Sequence, residues 1–161
     1  MNEAKAKQLG SRVTAIGITT GLLVAYCIMA SFSYQGTIKS FFSWFFPFIN
    51  GLWFNFLIAI IALYFFGYVF GQKAGYNIII KNKNFFWAFL KTGLLTLWLG
   101  TFVGSLVGFF EEGLINDFGF ANAVTDYIGK PLYWVTFFGV PFLIMISPLF
   151  GLCIKKIGGR K

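Results

Sequence analysis

The chain has 161 residues, of which 58% are hydrophobic, 22% are aromatic and only 11% are charged. A soluble domain of this length needs far more polar surface, so the composition excludes that class and indicates a membrane protein. The net charge is +8 and the sequence contains no histidine, which excludes imidazole acid–base catalysis and most metal centres.

Four apolar stretches are each long enough to cross the hydrocarbon core of a bilayer, which takes about 20 residues for a thickness of about 30 Å. We predict transmembrane helices at residues 13–33, 48–71, 86–110 and 133–154. The connections between them are too short for a separate soluble domain. The predicted fold is therefore all-α, a single domain of residues 1–161 that forms one polytopic bundle of four transmembrane helices.

The first predicted helix looks like a start-transfer anchor, because its apolar stretch is too long for a cleavable signal peptide. Its segment 16–21 contains two glycines, Gly17 and Gly21, which are four residues apart and lie on one helix face. Small residues on a membrane helix let another backbone approach closely. We therefore predict that Gly17 and Gly21 are helix-packing residues.

The connection to the second helix contains an aromatic stretch, residues 41–47, that is too short to span a membrane and too apolar for water. We predict an interfacial half-helix or a re-entrant segment on the outer side, which ends at Pro47. In the second helix, Asn55 is a candidate functional residue. An interhelical hydrogen bond from such a side chain contributes about 0.6–2 kcal/mol.

The third predicted helix carries a stripe of four glycines at helical spacing, which are Gly93, Gly100, Gly104 and Gly108. The spacing predicts a face for close helix packing within the bundle. The alternative is a seam between copies of the chain, or the lining of a pore.

Two adjacent carboxylates, Glu111 and Glu112, follow this stripe at the end of the third helix. If the helix continues without a break, at least one of them points into the bundle. Ionisable groups at such places are typical of transport or catalysis, so this pair is the main candidate functional feature. The alternative is a stop signal at the membrane face. The following loop, 113–130, has the spacing of a short amphipathic helix that lies on the membrane.

The fourth predicted helix contains Pro141 and Pro148, which lie on the same side because they are seven residues apart. Each proline removes a backbone donor and weakens the helix locally. We predict that they kink a packed helix. The alternative is that the carbonyls they free serve as ligands in a transporter site.

The positive charges are concentrated before the first helix, between the second and third, and after the fourth. By the positive-inside rule, both termini and the middle loop are predicted to be cytoplasmic. These cations are scattered and lack the pattern of a nucleic-acid-binding surface, so we expect contact with membrane lipids and no nucleic acid.

Several segments together resemble a family of small bacterial four-span membrane proteins of unknown function. They are the glycine-bearing segment 16–21, a turn rich in lysine and asparagine, the aromatic entry 85–93 to the third helix, an acidic outer loop and a lysine-rich end. The resemblance implies a membrane location and no particular activity.

The expected function is that of a non-enzymatic membrane protein, either an accessory subunit or an immunity-type interaction protein. Its expected partners are lipids and another membrane protein or a second copy of the chain, and no cofactor or metal is expected. The alternative is an oligomeric channel or small transporter, with the glycine stripe as seam or lining and the outer carboxylates as a cation-selective ring.

Overall fold

The computed structural model describes the backbone of residues 1–33, 38–114 and 119–159, and the side chains of residues 1–27, 53–111 and 119–159. Within those residues the chain is helical and has no strand. The α-helices are α1 (Glu3–Ser33), α2 (Ile38–Ile79), α3 (Phe85–Gly108), α4 (Phe120–Ala123) and α5 (Lys130–Gly158). Two π-helical turns, Phe109–Leu114 and Val124–Gly129, lie on either side of α4.

Four helical stretches are long and apolar enough to cross a membrane. They are Glu3–Cys27, Trp53–Ile79, Phe85–Glu111 and Phe120–Gly158. The prediction of an all-α chain with four membrane-length helices is confirmed to this extent. The chain therefore has the architecture of a multi-pass membrane protein.

Two helices are longer than predicted. The backbone of α1 begins at Glu3, where the Asn2 side chain accepts a hydrogen bond of 3.0 Å from the Lys5 backbone N–H. The backbone of α2 continues through Pro47, so the predicted end of a half-helix at this proline is wrong. An interior proline costs roughly 3 kcal/mol in a helix, but membrane helices tolerate it where other groups satisfy the freed carbonyl.

The second outer loop also differs from the prediction. A short helix does form there, but α4 runs through the π-helical turn Val124–Gly129 directly into α5. Lys130 pairs with Asp126 at 2.6 Å across this junction. The predicted separate helix is thus the first part of the last long helix.

A tight turn joins α2 to α3 and fixes the start of α3. Asn82 adopts a left-handed backbone conformation with φ of 47°, which asparagine tolerates better than most residues. The Asn84 side chain then accepts hydrogen bonds from the backbone N–H groups of Phe86 and Trp87, at 2.9 and 3.4 Å. These bonds cap the helix start.

The long helices are arranged so that α2 packs against α1 and α3, while α5 packs mainly against α3. We call the end with both termini and the α2–α3 turn the basic end, and the end with Glu111 and Asp126 the acidic end. A core of Val13, Ile78, Phe89 and Ile154 joins all four long helices near the basic end. Contacts between α1 and α5 are few, so the bundle is partly open between them.

Candidate functional site

The closest helix contact in the described residues joins α1 to α2 through glycines that face each other. A Cβ added to Gly75 would lie 2.8 Å from the Gly10 Cα, and one added to Gly71 would lie 2.9 Å from the Ser11 Cα. Real Cβ atoms do not approach backbone that closely. The two backbones are therefore in direct contact, and no other residue fits without parting the helices.

The glycine stripe of α3 faces neighbouring helices of the same chain. Gly100 packs against Leu63, and a Cβ at Gly104 would lie 2.5 Å from the Ala59 Cβ. A Cβ at Gly93 would lie 2.7 Å from a methyl group of Leu143 in α5. These glycines thus lie where α2 and α5 approach α3 most closely.

Gly17 and Gly21 of α1 have different surroundings. A Cβ at Gly17 would meet only ring carbons, 3.7 Å away in Phe89 and 3.9 Å away in Phe150. A Cβ at Gly21 would meet one ring carbon of Phe142 at 3.7 Å. These are ordinary contacts, so neither glycine holds two backbones together. Both line a cavity instead.

Asn55 is part of α2 and faces the end of α3 and the π-helical turn Val124–Gly129. Its amide nitrogen would be 3.1 Å from a Cβ at Gly108, and the ring of Tyr127 would be 3.0 Å from the same position. The Asn55 side chain is partly buried. The structure therefore brings this predicted residue together with the end of the glycine stripe.

Of the two outer carboxylates, the structure describes the side chain of one. Glu111 is exposed, and the side chain of Glu112 lies outside the described residues. The cause is local, because α3 ends at Gly108 and the backbone continues as a π-helical turn, Phe109–Leu114. Such a turn inserts an extra residue into the helix, so Glu111 no longer follows the spacing of the glycine stripe.

The two prolines of α5 interrupt its hydrogen bonding without ending it. Pro141 is exposed and Pro148 is partly buried, and α5 continues through both. The carbonyls four residues earlier, which lose their donors, belong to Phe137 and Ile144, and these residues are exposed. This arrangement provides no internal ligand site at the freed carbonyls.

A cavity of about 580 Å³ lies between α1, α3 and α5. It opens where α1 and α5 separate, on the acidic side of the four-helix core. Its lining is apolar and aromatic except for three hydroxyls, on Thr14, Thr96 and Thr101. The aromatic walls come from Phe89, Trp134, Phe138 and Phe142.

Two of these hydroxyls have no hydrogen-bond partner although they are buried. Thr14 and Thr96 are 4% and 3% exposed, and neither Oγ1 atom is bonded to any group of the described residues. Other helical hydroxyls bond the carbonyl four residues earlier, as they do in Thr19, Thr20, Thr92, Thr125, Thr136 and Ser147. Thr14 and Thr96 depart from that pattern, and the Thr14 Oγ1 atom lies against Gly71 of α2, 2.7 Å from the place of a Cβ. The sequence shows no sign of this difference.

A second feature lies on the outside of α1 and α2. Its residues are four or seven positions apart, so they form one stripe on each helix. We call it the polar face, and it consists of Gln8, Arg12, Thr19, Tyr64, Tyr68 and Gln72. The Thr19 and Tyr64 hydroxyls are hydrogen-bonded at 2.7 Å, and the Tyr68 side chain is 59% exposed. A groove of about 660 Å³ runs along the basic end of this face.

The remaining chemistry of the described residues is sparse. No cluster of cysteine and carboxylate side chains that could hold a metal ion occurs in the part of the chain that the structure describes. Cys27 and Cys153 are both exposed and are not joined by a disulfide. Neither a protein-family model, nor a curated protein, nor a solved structure matches the chain. Functional inference therefore rests on the cavity and the polar face.

Proposed function

We propose that the chain is a non-enzymatic integral membrane protein that acts as an accessory subunit or an immunity-type interaction protein. It resides in the bacterial cytoplasmic membrane with both termini inside. Its partner is another membrane protein or a second copy of the chain. The observation that supports this proposal is the polar face of α1 and α2.

The polar face extends well below the level at which water and headgroups are available. Thr19 lies seven residues beyond Arg12 along α1, which corresponds to a depth of about 10 Å. Thr19 is exposed, and the Tyr64 side chain that it bonds is 37% exposed. The hydroxyls of this pair therefore face the surroundings of the bundle at a depth where only hydrocarbon or another protein is present.

Polar side chains at such a depth are stabilised when another helix covers them. Hydroxyl and amide groups hydrogen-bond across membrane helices, and each bond contributes roughly 0.6–2 kcal/mol. The spacing of Tyr64, Tyr68 and Gln72, each four residues from the next, presents one continuous edge to a second helix. The polar face is suited to a protein partner rather than to lipid.

The channel alternative has less support from the geometry. Gly100 and Gly104 face Leu63 and Ala59 of the same chain, so α2 covers the stripe that would be the seam or lining. Glu111 is exposed at the acidic end and lies outside the cavity lining. We therefore place the channel second.

Purification in a detergent that retains native lipid, followed by analysis of mass and composition, tests the proposal. We expect the wild type to carry a partner or to be oligomeric. The Tyr64 hydroxyl is already bonded to Thr19 within the chain, so the test uses Tyr68, whose side chain is 59% exposed. Tyr68→Phe keeps the ring and removes the hydroxyl, so we expect the complex to weaken about 3- to 30-fold through the loss of one hydrogen bond.

The matched control is Tyr133→Phe, because Tyr133 is 62% exposed on α5, away from the polar face. That variant should retain the partner. A strictly monomeric, partnerless wild type contradicts the proposal. Ion flux into proteoliposomes tests the channel, which would lose flux in Glu111→Gln if that carboxylate selects ions.

A further inference from the structure

We propose that the groove at the basic end of α1 and α2 binds the headgroup of an anionic glycerophospholipid. Arg12 binds the lipid phosphate, and Lys5 selects against headgroups that carry a cation of their own. This inference goes beyond the proposed interaction function, since it concerns a lipid at the level of the headgroups. The Thr19–Tyr64 pair that supports a protein partner lies about 10 Å deeper than Arg12.

The groove has hydrogen-bond donors on both of its walls. On α1, Lys5, Gln8 and Arg12 line it, and steps of three and four residues place them on one helix face. On α2, Tyr68 and Gln72 line it and are four residues apart. Two helices therefore present polar side chains to the same space.

The spacing of these walls is fixed by the backbone contact behind them. Ser11 lines the groove and is 6% exposed, and a Cβ added to Gly71 would lie 2.9 Å from the Ser11 Cα. The two helices cannot approach further at this point. The groove therefore exists before a ligand arrives, so binding costs little ordering of the backbone.

The positive charge of the groove is not neutralised by the described residues. Lys7 also lines it, but its ammonium group pairs with the Glu3 carboxylate at 2.6 Å. Lys5 and Arg12 take part in no ion pair within the described residues, and none of the aspartates and glutamates described there lines the groove. An unpaired guanidinium group matches the geometry of a phosphate, which it can bind through two parallel hydrogen bonds.

The position of Arg12 favours a lipid over a soluble phosphate. Arg12 is the last charged residue of α1, so it lies at the boundary between headgroups and hydrocarbon. Ile16 and Leu23 continue the same helix face towards the bilayer centre and are 58% and 60% exposed. A phosphate at Arg12 therefore places the attached acyl chains along an apolar surface, which a soluble phosphate would leave unused.

Lys5 determines which headgroup fits. It lies seven residues before Arg12 on the same face, about 10 Å further from the hydrocarbon. A choline or ethanolamine headgroup carries its own cation beyond the phosphate, and that cation would approach the unpaired lysine. A glycerol headgroup has only hydroxyls there, and the Gln8 amide can bond them. The lipid that fits is therefore anionic, with an uncharged polyol beyond its phosphate.

Native mass spectrometry of the purified full-length protein tests the site, because it resolves the first bound lipid. We would titrate with dioleoylphosphatidylglycerol and dioleoylphosphatidylcholine, which have the same acyl chains. We expect a preference of about 5-fold for the anionic lipid. Arg12→Gln should weaken both lipids about 10-fold through the lost phosphate contact. Lys5→Gln should remove the preference and leave the affinity for phosphatidylcholine no weaker than in the wild type.

Two further variants serve as controls. Lys91→Gln removes the same charge from an exposed position on α3 that does not line the groove, so it should change neither affinity. Arg12→Lys keeps the charge and should retain more binding than Arg12→Gln.

Equal affinities of the wild type for the two lipids, or equal losses in Lys91→Gln and Arg12→Gln, would overturn the proposal. Displacement of the lipid by inorganic phosphate at the same concentration would show that the ligand is a soluble anion. If Arg12→Gln keeps its lipid but loses the protein partner, Arg12 belongs to the partner contact and the lipid site is refuted. A partnerless wild type that still selects the anionic lipid refutes only the proposed interaction function.

Discussion

Gly10 and Gly17 lie on the same face of α1, seven residues apart, but their surroundings differ. A Cβ at Gly10 would lie 2.6 Å from the backbone nitrogen and 2.7 Å from the Cα of Gly75. A Cβ at Gly17 would meet only the rings of Phe89 and Phe150, at 3.7 and 3.9 Å. Backbone atoms cannot turn aside as a side chain can, so the same substitution should have opposite effects at these two positions.

The expected magnitudes follow from these distances. Gly10→Ala must separate α1 from α2 by about 1 Å to restore carbon contacts of roughly 3.5–4.0 Å. Such overpacking typically costs about 1–3 kcal/mol. Replacing glycine by alanine in a helix interior gains about 1 kcal/mol at either site. Gly17→Ala should therefore be stabilising by about 1 kcal/mol, and Gly10→Ala should be less stable than Gly17→Ala by about 1–3 kcal/mol.

Reversible unfolding of both variants in mixed detergent micelles, followed by loss of helical circular dichroism, measures this difference directly. The helix-propensity gain cancels between the two variants, so the difference in unfolding free energy isolates the backbone contact. Equal unfolding free energies for Gly10→Ala and Gly17→Ala would show that α1 and α2 do not meet at Gly75.

Three further predictions concern the ends and edges of the bundle. Asn84→Ala should destabilise the protein by about 1 kcal/mol in the same unfolding assay, because it removes the cap of α3, and an unchanged unfolding free energy would contradict that role. Trp98→Phe breaks the 3.1 Å hydrogen bond to a hydroxyl of α5 and should cost about 0.6–2 kcal/mol, whereas Trp87→Phe, at a side chain 56% exposed, should be nearly neutral. In a cysteine-free background, a membrane-impermeant maleimide applied to spheroplasts should label Lys130→Cys and leave Lys83→Cys unlabelled. Labelling of Lys83→Cys alone would reverse the proposed orientation.

The membrane-length helices could be predicted from the sequence because hydropathy depends on composition along the chain and not on tertiary contacts. The bounds were less accurate for an equally physical reason. At the start of α1, Ala6 is fully buried against α2, so packing extends the helix through a segment that is too polar to be recognised as a membrane span. At Pro47 the sequence predicts the end of a helix, but the backbone of α2 continues through this proline.

The glycines show where the sequence pattern becomes ambiguous. Spacing alone predicts close helix packing for both Gly17 and Gly104, since each belongs to a stripe of small residues. In the structure a Cβ at Gly104 would be 2.5 Å from Ala59, whereas a Cβ at Gly17 would make only ordinary contacts beside a cavity. The difference depends on which helix lies opposite, and helical periodicity carries no information about that neighbour.

The outer carboxylates show how one local irregularity alters a site prediction. Extrapolation of an ideal helix from Gly108 directs Glu111 or Glu112 towards the bundle. One extra residue in the π-helical turn changes the helical register by about 100°, and the side chain of Glu111 is exposed. The residues of that turn, Phe109–Leu114, show no distinguishing breaker other than one glycine near its end. The position of the turn could therefore not be read from the pattern.

The hydrogen bonding of Thr14 and Thr96 could not be predicted from the sequence either. In the sequence Thr96 is simply a small residue between Gly93 and Gly100, and such a residue is expected to pack or to bond its own backbone. In the structure its Oγ1 atom is buried and is bonded to no group of the described residues. The Thr14 Oγ1 atom is equally buried and lies 2.7 Å from the place of a Cβ on Gly71, so the close contact between α1 and α2 encloses it. Whether such a hydroxyl finds a hydrogen-bond partner depends on the helix opposite, and helical periodicity carries no information about that helix.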